Sequence, residues 1–113
     1  MLTELKPYHM TGRLNTQSLQ NLMDSFMPGF YVASGRDTPK SRSYYWKIDY
    51  VRDMMIHRSV IKIRISDHDC HTTNKDCEVF VDLRPHWEFK DAAVHIKWAM
   101  HTIAKKYNNE KRA

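Results

Sequence analysis

Ile61, Ile63 and Ile65 point one way from an extended chain while Lys62 and Arg64 point the other, and this two-residue period demands a strand with one buried face. The pattern returns where Cys77, Val79, Val81 and Leu83 alternate with Glu78, Phe80, Asp82 and Arg84, until Pro85 ends it. Two such strands so close in the chain are expected to fold back on each other as an antiparallel hairpin with a long tip, residues 67–76. Glu78 and Asp82 then share a face with Lys62 and Arg64, where each opposite-charge pair is worth about 0.2–1 kcal/mol and helps to set the register.

From His86 the period becomes helical and runs to about Tyr107, with Phe89, Ala92, Ala93, Ile96, Met100, Ile103 and Tyr107 in one stripe that is expected to cover the sheet. Lys105 and Lys106 suit the negative end of the helix dipole, and Asn108-Asn109 are expected to stop the helix, leaving a frayed tail at 109–113. Near the other end, a loose segment at 1–14 precedes Asn15 and Thr16, which offer capping oxygens to a helix carrying Leu19, Leu22, Met23 and Phe26. Pro28-Gly29 stops that helix, and Phe30 to Ala33 reads as a short strand. Residues 35–43 have the composition of an exposed basic loop. The stretch Tyr44 to His57 fits two templates: Trp46, Ile48 and Tyr50 alternate, whereas Tyr44, Ile48, Val51 and Met55 share a helical stripe. A strand turning helical around Asp53 is expected. Together these elements predict an α+β fold, a small antiparallel sheet with a central hairpin, packed by an N-terminal helix and a longer C-terminal helix.

A chain of 113 residues, 42% hydrophobic, has room for one core and hence a single domain, 1–113. No run approaches the roughly 20 apolar residues of a membrane helix and Met1 to Pro7 lacks the layout of a signal peptide, so a cytoplasmic protein is expected. Two cysteines give no disulfide framework, and three glycines are too few and too scattered for a phosphate-cradling loop. The net charge of +5 favours polyanions at low salt without amounting to a basic arm.

Four constellations compete for a function. Placed at 100° intervals, Trp87, Val94, Trp98 and Lys105 lie nearly opposite Ile96 on the last helix, with His101 beside them. Either this face meets a partner, since exposed aromatics mark interfaces, or Leu2, Leu5 and Tyr8 fold over it as a second core. Arg36, Lys40 and Arg42, followed by Tyr45, could hold phosphates while a ring stacks on a base, or form a surface loop leading into a core strand. His68, Cys70, His71 and Cys77 are metal-ligand types, but the spacing suits a polar loop tip better than a zinc site, so neither metal nor cofactor is expected. Histidines such as His57, His86, His95 and His101 have carboxylates nearby in sequence, yet no nucleophile motif accompanies them, and an enzyme is not expected. The order of elements is similar to that of double-stranded-RNA-binding domains, but the last helix here opens Pro85-His86-Trp87-Glu88-Phe89-Lys90-Asp91, without the lysines that span a groove.

Gly12-Arg13-Leu14 before the helix Leu19 to Phe26, the strand Ile61-Lys62-Ile63-Arg64-Ile65-Ser66-Asp67, and a terminal helix bearing Trp98 resemble the corresponding parts of the inhibitors of host dGTP triphosphohydrolase made by T7-like bacteriophages. The resemblance implies a non-enzymatic protein that docks on a bacterial host protein, such as an enzyme of nucleotide metabolism, in the host cytoplasm. Trp87, Val94, Trp98, His101 and Lys105 are then the expected partner-binding residues; a nucleic-acid module using Arg36, Lys40, Arg42 and Tyr45 is the alternative.

Overall fold

A computed structural model describes residues 14–35, 43–67 and 77–112, with the side chains of 43 and 109–112 outside the description. The order of elements is α1 (Thr16–Phe26), β1 (Phe30–Gly35), β2 (Ser43–Arg52), β3 (Met55–Ser66), β4 (Val79–Leu83) and α2 (Phe89–Arg112). The fold is α+β, with a four-stranded sheet in the order β1-β2-β3-β4. Both ends of α1 follow the local chemistry. The Asn15 side chain accepts from the Ser18 N–H at 2.8 Å, while the Ser18 hydroxyl accepts from the Asn15 N–H at 2.8 Å, a reciprocal cap. At the other end Gly29 takes a φ of +104°, open to glycine at little cost.

The sheet departs from expectation in its last pairing. β1 with β2 and β2 with β3 are antiparallel, but β3 and β4 run parallel, with Ile61 opposite Val79, Ile63 opposite Val81 and Ile65 opposite Leu83. The expected hairpin of β3 and β4 is therefore corrected to a crossover pair; the hairpin at the centre of the sheet joins β2 to β3. The alternation assigns side chains to faces and is blind to strand direction, and the connection from Ser66 to Val79 is long enough for a parallel return. The charge pattern is half realised. Arg64 meets Asp82 directly opposite it in register at 3.0 Å, whereas Glu78 lies ahead of β4 and turns to Lys106 and Tyr107 of α2.

No helical turn interrupts the stretch from Tyr44 to His57. β2 stays extended to Arg52, and Asp53 and Met54, at φ +53° and +66°, make a two-residue turn directly into β3. Further along β3, the single residue Asp49 of β2 faces Arg58, Ser59 and Val60, the register shifting between Ile48 and Tyr50. Buried Asp49 stabilises this bulge, accepting from the Ser59 N–H at 2.8 Å and from Arg58 Nη1 at 3.3 Å, and Ser59 itself has a φ of +52°.

Both helices cover one face of the sheet. Leu19 and Met23 of α1 and Ala92, Ile96, Ala99, Met100 and Ile103 of α2 close over Phe30, Trp46, Ile48, Ile61, Ile63, Val81 and Leu83, all buried. Leu14 belongs to this core, so the loose N-terminal segment does not include it. α2 begins at Phe89, after a turn at Pro85 and His86, and its helical backbone continues through Asn108-Asn109 to Arg112, so the expected start at His86 and the expected stop at Asn108-Asn109 are both corrected. Gly35 and Ser43 are strand residues, and residues 36–42 of the expected basic loop lie outside the described residues.

Candidate interaction surface on the terminal helix

The burial of Ala92, Ile96, Ala99, Met100 and Ile103 fixes which side of α2 faces water, because side chains three and four apart share a face. Val94 and Trp98 fall on the opposite side, 66% and 60% exposed. His101 and Lys105 extend the same stripe by one and two turns, and both are exposed. The Trp98 turn is closed by the Thr102 hydroxyl, which donates to the Trp98 carbonyl at 2.9 Å. Lys97, alongside, places Nζ 5.6 Å from the centroid of the Phe26 ring and ties α2 to α1. The surface is an apolar centre with a basic margin.

Trp87 does not join that stripe as a helical residue. It precedes α2 in a turn closed by its own N–H donating to the Arg84 carbonyl at 3.1 Å, and its half-buried ring packs against the core. The indole also stacks on His95, centroids 5.2 Å apart and planes inclined by 29°. Trp87, Asp91, Val94 and His95 thereby frame an open pocket of about 320 Å³ one turn from Trp98. Of the five expected partner-binding residues, four lie along the outer face of α2 and Trp87 forms the wall of the adjoining pocket. Leu2, Leu5 and Tyr8, the segment expected to cover this side in the second-core reading, lie outside the described residues.

The other constellations are placed only in part. Arg36, Lys40 and Arg42 are outside the described residues, as are His68, Cys70 and His71. Tyr45 stands on the sheet face away from the helices, its hydroxyl accepting from Arg64 Nε at 3.4 Å and its ring 5.3 Å from Lys62 Nζ. Cys77 is half-buried, and among the described residues no three potential ligands gather for a metal. No helix among them is long and apolar enough to cross a membrane.

Comparison with protein families, characterised proteins and solved structures found no match for this chain.

Sequence patterns miss a second exposed apolar group. Met54, Met55 and Ile56 stand at the β2–β3 turn, with Met54 97% exposed. The available signal is the alternation on either side of Asp53-Met54, which identifies a two-residue turn once both flanks are read as strands. The helical stripe through Val51 and Met55 obscures it, and no Asn-Gly or Asp-Gly pair marks the turn.

Proposed function

We propose that this protein is a non-catalytic protein-binding module that docks on its target through the outer face of α2. The observation that carries the reading is Trp98: a large ring more than half exposed beside exposed Val94, at the middle of a helix whose other side is fully committed to the core. Interfaces concentrate their energy in such aromatic anchors because a rigid ring removes much area from water at small entropic cost. The basic margin of His101 and Lys105 suits an acidic rim on the partner. The resemblance to phage inhibitors of host dGTP triphosphohydrolase supplies the finer proposal, a host-modulating protein in the bacterial cytoplasm that binds and inhibits a bacterial protein, with an enzyme of nucleotide metabolism as the first candidate.

The test is affinity capture from bacterial lysate with the parent chain and Trp98→Ala, after nuclease treatment and across a salt series. One stoichiometric protein partner retained by the parent and lost by the variant is expected. Truncating a central tryptophan removes about 2 kcal/mol, roughly 30-fold in Kd. Trp98→Ala should keep the parent's thermal unfolding, since its ring packs little in the monomer; loss of the fold would place Trp98 in the core and end the reading. Recovery of nucleic acid alone, and only at low salt, would overturn it in favour of the basic loop.

A further inference from the structure

The β2–β3 turn, the end of α1 and the later turns of α2 meet around an open cavity of about 510 Å³, separate from the pocket beside Trp87. Its described lining is sharply divided by chemistry. Met27, Pro28, Tyr50 and Ala104 give an apolar wall, while Arg52, His101, Lys105 and Asn108 supply polar groups, and no carboxylate is among them. Arg52 Nε lies 3.8 Å from an Asp53 carboxylate oxygen, an ion-pair distance too long for a hydrogen bond.

Two buried atoms of this lining have no hydrogen-bond partner, the donor Arg52 Nε and the acceptor Asn108 Oδ1. A buried polar atom left unpaired is costly, so native proteins keep few, and one that persists calls for a water, an ion or a ligand that completes it. The residues carrying this cationic donor and this neutral acceptor both line one cavity, whose volume falls within the roughly 300–1,000 Å³ of small-molecule sites.

We infer that this cavity binds a small organic phosphate of about mononucleotide size. The phosphate engages the Arg52 guanidinium and the Lys105 ammonium, the organic body lies along Met27 and Tyr50, and a small rotation of the Arg52 and Asn108 side chains brings their unpaired atoms to the ligand. An anion answers the two cations; an apolar body answers a wall that bare phosphate would leave uncovered. The inference does not rest on docking at Trp98.

The test is an amide chemical-shift titration of the full chain with adenosine 5′-monophosphate, with adenosine, an octathymidylate and sodium chloride at matched ionic strength in parallel. Saturable shifts with the monophosphate centred on Arg52, Ala104 and Asn108 are expected, with none from adenosine or chloride. Arg52→Gln and, on a separate element, Lys105→Gln should each weaken binding about tenfold. Shifts no larger than those of matched chloride, saturation unchanged in both variants, or tighter binding of the octathymidylate than of the monophosphate would overturn it.

Discussion

Gly35 sits directly opposite Trp46 in the β1–β2 pair, and a Cβ built on it would lie 2.2 Å from Trp46 Cδ1 and 2.8 Å from Nε1. The indole is fully buried, so moving it aside means giving up packing in the core. Glycine is required here by the close approach of a ring rather than by a turn. Gly35→Ala is therefore expected to destabilise the fold by about 1–3 kcal/mol, the usual cost of forcing extra volume into a packed site, read as a lower midpoint in denaturant unfolding. An unchanged midpoint would show that β1 yields at its end.

Arg64 is 1% exposed, on the sheet face away from the helices, and bonded to Asp82 and Tyr45. Burial alone would lower its pKa, but hydrogen bonds to Tyr45 and Asp82 and attraction to Asp82 outweigh burial and hold it above the ordinary arginine value. Asp82→Ala removes a carboxylate from that buried charge and is expected to cost about 3 kcal/mol. Combining it with Arg64→Met should recover part of the loss, because the buried charge is then gone. A double variant less stable than Asp82→Ala would mean that Arg64 contributes chiefly through its other contacts.

The Glu78 carboxyl, just ahead of β4, ties the entry of that strand to α2 through Lys106 and Tyr107. Burial would raise its pKa, yet hydrogen bonds from Lys106 and Tyr107, with attraction to Lys106 and His57, leave it below the ordinary glutamate value. A folded pKa below the unfolded one contributes stability that is fully present above about pH 4.3 and lost as pH falls through the folded value. Glu78→Gln should accordingly be less stable than the parent at neutral pH, and the two unfolding curves should converge on acidification. A gap that persists in acid would assign the loss to packing instead.

Met54 occupies the left-handed region at φ +66° with its side chain almost wholly in solvent. A non-glycine residue there costs about 1–2 kcal/mol, and no packing offsets it. Met54→Gly should gain about 0.5–1 kcal/mol, part of the relief being returned as glycine's greater freedom in the unfolded chain. Differential scanning calorimetry would register this as a rise of a few degrees in Tm; a fall would show that the methionine holds the turn by contacts beyond its own backbone.

Much of this architecture is legible from local chemistry. The cap at Asn15, the stop at Pro28-Gly29, the inward set of Ile61, Ile63 and Ile65, and the core stripe of α2 each follow from periods and capping groups that act within a few residues. The exposed stripe of Val94, Trp98, His101 and Lys105 is legible for the same reason: once Ile96 faces the sheet, helix geometry leaves them no other side.

Only the tertiary structure decided what depends on direction and on distant partners. An alternating strand reads identically in either sense, so the parallel pairing of β3 with β4 was invisible in its residues. Trp87 left the helical stripe because α2 starts two residues after it, and its stacking on His95 depends on where the preceding turn delivers the ring. The cavity at Arg52 and Lys105 brings together residues from β2 and α2 that are far apart in the chain. Periodicity assigns a side chain to a face; which groups meet across that face is settled only when the elements pack.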